Sequence, residues 1–502
     1  MDRRLATSTD LVRFRVDATR CDGQGVCVLV APELFQLDRY GLAQVVPGSE
    51  SLVSADPDVR ARGLEADATC PRNAIREELV SARLAVASPP EPAEPPTPAE
   101  PSTSGGSVAP RLVLPGDEVE SLDGWRERGG WKDRYSAAEL LEIAESAGLV
   151  GHGGAGFPTA EKWRRVVGAD QPVVVANGAE REPGTHKDRY LLAHRPFLVL
   201  NGLVLAMHAV GARLGIIAVD DDAHEAAERI ESAIEAATRD GLLGDLEIRQ
   251  QRVPTRYVAG EETALLAVIE GSPPVPRIRP PYPSDVGVFG RATLVQNVET
   301  LAQLAVATAL GPQTYRSVGT PEAPGTGVFT VGPFGGPFTV IEEAFGVSLR
   351  ELLDERDLLD GARAVLVGGY AGGLLPPESL DVALTPSALR AAGASLGTKS
   401  IQVLGADQCP VRVVADIVGY FGAQTADQCP PCTRGLPDMA EILRDLEGGG
   451  ADRARLADLE TFMGTLSGRG VCRLPDGAAR VVLSLLTNFA DEVAAHAGAG
   501  CP

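Results

Sequence analysis

No cysteine occurs between Cys70 and Cys409, and aromatic residues supply only 5% of the 502-residue chain. The eight cysteines gather at the two ends: Cys21, Cys27 and Cys70 in one group, Cys409, Cys429, Cys432, Cys472 and Cys501 in the other. Such clustering argues against a disulfide framework and for metal or iron–sulfur ligation in a reducing compartment. Basic residues are also scarce. With 46 Lys and Arg against 68 Asp and Glu, the net charge is −22, which argues against a phosphate-binding face for nucleic acid and against docking on anionic lipid. Long apolar runs are missing too: the most apolar stretch, FLVLNGLVLAMHAVGARLGIIAV, is interrupted by Asn201, His208 and Arg213. It reads as a buried helix followed by a strand, with no membrane insertion. The opening MDRRLATSTD lacks the apolar core of a signal peptide. A soluble cytoplasmic protein is expected.

The length implies three or four domains. ASPPEPAEPPTPAEPSTSGGSVAP, residues 87–110, is a Pro/Glu/Ala linker, semi-rigid where it extends as polyproline II. The expected organisation is an iron–sulfur module at 1–86, linker at 87–114, an α/β domain at 115–322, a small β-rich domain at 323–378 and a helical bundle at 379–502. YSAAELLEIAESAGLV has helical amphipathicity. QPVVVANGAE and LGIIAVDDDAHEAAERIESAIEAA read as buried strands ending in turns, the second followed by a helix. GVFTVGPFGGPFTVIEEA alternates strands and Gly turns before a short helix, SLRELLDE. Beyond Leu380 the periodicity is helical, as in Val413, Val414, Ile417, Val418 and Phe421.

RCDGQGVC and TCPRNAI give C-x5-C and a distant C-P. A C-x2-C-x2-C loop would place its middle ligand at Gln24, so Cys21, Cys27 and Cys70 leave three thiolates. Three suit a [3Fe-4S] cluster and leave tetrahedral zinc one ligand short. With LVRFRVD before the loop and APELFQLDRYGLAQVV after it, residues 10–80 resemble the small bacterial ferredoxins that serve cytochromes P450.

GLVGHGGAGFPTAEKW contains G-x-G-x-x-G at Gly151, Gly153 and Gly156, but a helix precedes it where a Rossmann fingerprint follows a strand. Together with VANGAEREPGTHKDR, YVAGEETALLAVIEG, PRIRPPYPSDVG and ATLVQNVETLA, the loop is similar to the NADH-binding, FMN-containing subunit of respiratory complex I and of NAD-reducing hydrogenases. The similarity runs from about residue 140 to 490. It implies a multidomain α+β protein: a ferredoxin-like module, a Rossmann-like FMN domain, a β-grasp domain and a helical bundle holding an iron–sulfur cluster. Gly151, Gly153, Gly154 and Ala155 match the backbone cradle of the FMN phosphate and ring edge. Lys162 matches a positive charge near the flavin, and Asn177, Thr293 and Asn297 match hydrogen-bonding positions. Glu182, Glu261 and Glu262 match acids lining the nicotinamide nucleotide site, and Phe157 the aromatic beside its adenine. For the paired glutamates, the alternative reading is a helix cap.

Departures from the family pattern bear on the nucleotide. Ala179 stands where the family has an aspartate, Arg181 where it has a glycine, Gln296 for an asparagine and His152 for an arginine. Arg165 replaces a pocket aromatic, and Arg165 with Arg181 would suit a phosphorylated nucleotide such as NADPH. At the C-terminus, Cys429, Cys432 and Cys472 match the last three of four cluster cysteines, and the first falls at Ala426. The options are a [3Fe-4S] cluster, a [4Fe-4S] cluster completed by Asp427 or another group, zinc, or a lost cluster. A helix over 411–422 is roughly 18 Å long, so Cys409 and Cys429 belong at opposite ends. Cys409 then reads as a small buried hydrophobe and Cys501 as a free thiol on a frayed tail.

The functional expectation is an NAD(P)H-oxidising flavo-iron–sulfur protein fused to its own ferredoxin. Hydride from NADH or NADPH is passed on as single electrons to a redox partner, such as a cytochrome P450 or another oxidoreductase subunit. The alternative is a non-catalytic electron-transfer or scaffold subunit that oxidises no nucleotide.

Overall fold

The computed structural model describes residues 11–80 and 112–501, apart from 18–19, 22, 39–40, 47–48, 50–52, 54–55, 73, 115, 117, 132–134, 452, 467 and 498–499. The linker at 87–110 lies outside the described residues. The chain divides into two compact units, of which the first holds the N-terminal module.

In that module β1 (Leu11–Val16) pairs antiparallel with β4 (Ile75–Val80), and β2 (Phe35–Leu37) with β3 (Ala43–Val45). Helices α1 (Val26–Val30) and α2 (Pro57–Thr69) complete it. Asp56 caps α2 by accepting from the Asp58 amide, and Pro57 occupies the first turn. Phe14 and Phe35 meet edge-on at 6.1 Å in a core with Leu34, Ala66 and Ile75. Gly63 admits that ring: a Cβ there would lie 2.1 Å from Phe14.

The second unit opens with a buried strap. Leu112, Val113 and Leu114 are buried and donate their amides to the buried carboxylate of Glu342 at 2.5–2.9 Å. The linker expected through 114 therefore ends before Leu112, because this apolar triplet has a core to enter. Helix α3 (Ala137–Ser146) follows, begun by a capping box between Ser136 and Glu139, then α4 (Thr159–Arg164).

The β-branched Val173, Val174 and Val175 open β5 (Val173–Gly178), and α5 (Lys187–His194) and α6 (Pro196–Val210) lead to β6 (Leu214–Asp220). Helix α7 (His224–Arg239) leads to β7 (Glu247–Val253), then α8 (Glu262–Ile269), β8 (Thr293–Asn297) and α9 (Val298–Leu310). The four strands are parallel in the order β7-β6-β5-β8. That order reverses between β5 and β8, and open α/β sheets bind ligands at the carboxyl ends of such a switch point. The apolar stretch is indeed a buried helix, α6, then the buried strand β6. Asn201 accepts from the Trp125 indole at 3.0 Å, and Gly202 lets α9 approach, since a Cβ would lie 2.0 Å from the Leu301 carbonyl oxygen. No single helix among the described residues is long and apolar enough to cross a membrane, and the successive α5 and α6 are bent by 99°.

A second sheet follows, in the order β10-β9-β13-β11-β12: β9 (Thr326–Pro333), β10 (Thr339–Ala344), β11 (Ala364–Val367), β12 (Gly373–Leu375) and β13 (Ser400–Leu404). Helix α10 (Leu349–Asp354) starts at a second capping box, Ser348 with Glu351. The boundary expected at 378 is displaced, because β13 returns to lie parallel to β9. Helices take over only at α11 (Pro410–Ala423), followed by α12 (Leu436–Glu447), α13 (Arg453–Leu466), α14 (Leu474–Asn488) and α15 (Ala490–His496).

Candidate functional site

A cavity of about 490 Å³ lies at the carboxyl ends of β5 and β8. Its wall includes Gly153, Gly154 and Ala155 of the glycine loop, Asn177 and Asn297 from the two strand ends, Glu182 and Glu261, and Cys472. The loop is closed by the Gly151 amide donating to the Phe157 carbonyl at 2.9 Å. Gly154 has φ +107°, a conformation closed to ordinary side chains, and a Cβ on Gly153 would lie 3.3 Å from Asn297 Cβ. The wall also includes Gly368, Gly397 and Thr398, which no sequence motif had marked, and Gly397 lies beside Gly154 of the loop. Gly368 and Gly397 both have positive φ, and their backbones touch so closely that a Cβ on Gly397 would lie 2.1 Å from the Gly368 carbonyl oxygen.

The polar groups sort into two sets. Glu182 is buried, accepts from the Ala371 amide at 3.0 Å, and burial pushes its pKa up to about 7. Gly369 makes room for it, since a Cβ there would lie 2.5 Å from Glu182 Oε1. Glu261 fits the capping alternative: it is the N-cap of α8 and accepts from the Thr263 and Ala264 amides at 2.8 and 2.9 Å. Glu262 is held by Lys162 at 3.1 Å and Arg279 at 2.9 Å. These three, with Phe157 and Gly151, are not on the cavity wall. Arg165 stacks its guanidinium 5.2 Å from the Phe157 ring centre.

Thr293 faces the protein interior. It accepts from the Val288 amide at 3.0 Å and donates to the Arg291 carbonyl at 2.9 Å, so it braces the start of β8. Asn177 donates to the Gly260 carbonyl at 2.9 Å and Asn297 to Asp188 at 2.6 Å, while both keep a place on the wall. Arg181 is not a free cation: its guanidinium lies 2.9 Å from Asp220 and 3.1 Å from Asp222. His152 turns inward, its Nδ1 3.0 Å from the Glu299 carboxylate.

That histidine belongs to a buried charge cluster beneath the cavity. Glu299 also meets Lys187 and Lys399, each at 3.0 Å, and Lys187 meets Asp188 at 2.6 Å. Burial opposes ionisation of Glu299, yet Lys399, Lys187 and His152 together hold its carboxyl well below the usual range. Burial pulls Lys399 down to about 8. Part of the signal for this cluster lay in THKDR, whose Lys187 opens α5, and in NVET, whose Glu299 follows directly on β8.

Tyr257, also missed, lies on the wall with Cys472, packs edge-on against Phe421 at 5.3 Å, and is raised in pKa by burial and then by Glu182. Cys429 and Cys432 are buried like Cys472. One Asp427 carboxylate oxygen accepts from Thr425 at 2.6 Å. In the N-terminal module, Cys21, Cys27 and Cys70 all line one small pocket, with Gln24 beside them. Two sulfurs accept backbone amides, Cys21 from Ala43 at 3.3 Å and Cys70 from Ala74 at 3.4 Å. Cys409 sits at the start of α11, separated by that helix from Cys429 as expected. Both it and Cys501 depart from their expected isolation, for their sulfurs and His496 lie within 4.8 Å of one another.

The Nuo51 FMN-binding domain profile matches residues 144–306, the NADH-ubiquinone oxidoreductase-F iron-sulfur binding region 412–496, and a 4Fe-4S single cluster domain 14–76. The F subunit of NADH-quinone oxidoreductase in Rickettsia felis is 31% identical over 400 residues, covering 76% of this chain and 95% of that one. The chain belongs to this family of NADH-quinone oxidoreductase F subunits. The Streptomyces coelicolor member is 33% identical over 417 residues, covering 79% and 93%. An NAD+-reducing [NiFe]-hydrogenase chain, solved in the air-oxidised state, superimposes with a TM-score of 0.67 at 30% identity. The match covers 75% of this chain and 65% of the hydrogenase chain.

Proposed function

We propose that the protein is an NADH-oxidising component that binds FMN in the cavity at the β5–β8 switch point and passes electrons to an iron–sulfur centre beside it. The observation that carries this reading is the presence of Cys472 and the glycine loop on the wall of one cavity. Its volume lies in the range that takes a cofactor, and the Gly153–Ala155 backbone offers close approach without side-chain obstruction. FMN bound there would supply conversion of a two-electron hydride donor into one-electron transfers. Gly153, Gly154, Ala155, Asn177 and Asn297 are the groups placed to hold it. Glu182 is the acid placed for the nicotinamide nucleotide, while Glu261 acts through the cap of α8 and Glu262 through its ion pairs with Lys162 and Arg279.

Arg181 is engaged by Asp220 and Asp222, which favours NADH over a phosphorylated nucleotide. The C-terminal centre would use Cys429, Cys432 and Cys472. The N-terminal module would use Cys21, Cys27 and Cys70, a three-thiolate set suited to [3Fe-4S]. The β-grasp and bundle assignments go to the five-stranded sheet with its strap, and to α11–α15. Relatives that are subunits of larger oxidoreductases favour another oxidoreductase subunit as acceptor over a cytochrome P450. The non-catalytic alternative draws on Ala179 and on the capping role of Glu261. Anaerobic titration with NADH and NADPH separates the readings: bleaching of the flavin bands by NADH supports oxidation, and a flavin that stays oxidised supports the carrier.

A further inference from the structure

The N-terminus of α11, the last residue of α15 and the segment after it bring together three soft or borderline ligands. Cys409 and His496 are 4% and 3% exposed, and Cys409 Sγ lies 3.2 Å from His496 Nε2. Cys501 adds its sulfur, so that all three ligand atoms fall within 4.8 Å of one another. The imidazole is oriented for ligation. Its Nδ1 lies 2.8 Å from the Glu492 carbonyl oxygen, to which it can only donate, so the proton sits on Nδ1 and the lone pair on Nε2 faces the sulfurs. Metal-binding histidines are held in this way by a second hydrogen bond.

Cys501 is fixed as well. Its amide donates to the Glu447 carbonyl at 2.7 Å, and the preceding Gly500 turns there at φ +76°. Arg412, in the first turn of α11, is paired with the Glu447 carboxylate at 2.7 Å, so the residue that holds the Cys501 amide is itself tied to the start of α11.

We propose that Cys409, His496 and Cys501 bind one thiolate-seeking divalent metal ion, zinc being the fitting case, with the fourth tetrahedral position left to water. At ordinary metal–sulfur and metal–nitrogen lengths, tetrahedral ligand atoms lie roughly 3.5–3.8 Å apart, so small side-chain movements close the site. Binding would break two S–H bonds, release both protons to solvent and leave two metal–thiolate bonds, with no change in oxidation state. The ion would staple the segment after α15 to the start of α11. This site is separate from Cys429, Cys432 and Cys472, because α11 spans about 20 Å between Cys409 and the turn before Cys429.

The test uses the full chain carrying its iron–sulfur centres. Zinc or cobalt bound per chain is measured beside iron, in wild type and in Cys409→Ser, His496→Gln and Cys501→Ser. Each variant is expected to lose one equivalent of zinc or cobalt with iron unchanged. Wild type should also show the visible bands of tetrahedral, thiolate-bound cobalt. Cys501 is only half-buried, so Cys501→Ser remains informative if the two buried replacements unfold. Equal metal content in wild type and Cys501→Ser would overturn the site. So would an intact mass lacking two hydrogens that alkylation assigns to a Cys409–Cys501 disulfide.

Discussion

Lys399, directly before β13 of the second sheet, and Glu299 in the first turn of α9 form an ion pair of 3.0 Å with both side chains buried. Glu299 is shared with Lys187 and His152, so one carboxylate ties the glycine loop, α5 and the β-rich region together. Its position directly after Asn297 and Val298 makes this cluster the floor of the switch-point cavity.

Replacement of Glu299 by Gln is expected to leave two buried cations short of a counter-charge and to cost about 3–5 kcal/mol, measured by denaturant unfolding. Lys399, lowered to about 8 from an ordinary 10.5, binds fewer protons when folded. Its contribution therefore makes wild-type stability rise with pH between those values, where the unfolded chain is still protonated. Lys399→Met should flatten that rise.

Glu182 gives a dependence of the opposite sign. Its pKa is raised by burial from 4.5 to about 7, so the folded chain binds the extra proton. The associated stability is complete below pH 4.5 and is lost as pH climbs through 7. Glu182→Gln should be flatter over that window and more stable at pH 8 by on the order of 2–3 kcal/mol. Its KM for NADH should rise at the same time. A variant less stable than wild type at pH 8 would contradict the burial argument.

Gly153→Val is expected to empty the cavity of flavin. The added Cβ meets Asn297 at 3.3 Å, and the branched methyls must occupy the space claimed by the phosphate or ring edge. The flavin-to-protein ratio should fall at least about tenfold, a free-energy difference of about 1.4 kcal/mol or more, with the unfolding midpoint of the apoprotein nearly unchanged.

Ala426→Cys supplies the missing first ligand in the C-terminal cysteine series. Ala426 is half-buried, so a thiol is accommodated. Iron content should increase, and the EPR signal should change to that of a four-cysteine [4Fe-4S] cluster. Unchanged iron and an unchanged signal would count against a cluster at Cys429, Cys432 and Cys472.

Local patterns made much of this architecture legible. The run VVVANG, the stretch LGIIAVD and the Ser136 and Ser348 capping boxes each lie where propensity and capping chemistry put them. Long-range partners escaped. Nothing near Leu112 signals that its amide will meet Glu342, and β13 could not be placed beside β9 from helical periodicity after Leu380. In the cavity the glycine loop, Asn177, Asn297 and Glu182 were visible in short motifs. Thr293, Glu261 and Arg181 also have partners within the protein, which a motif does not reveal, while Glu261 and Arg181 keep a place on the cavity wall. Cys409 and Cys501 were read singly, since the fold alone brings His496 between them.

The most direct test is anaerobic reduction of wild type and Cys472→Ser by NADH, followed by flavin absorbance and low-temperature EPR. The account predicts flavin bleaching in both proteins, with the reduced signal of the C-terminal centre present in wild type and lost in the variant. The same reduced iron–sulfur signal in Cys472→Ser, or flavin that NADH leaves oxidised in wild type, would contradict it.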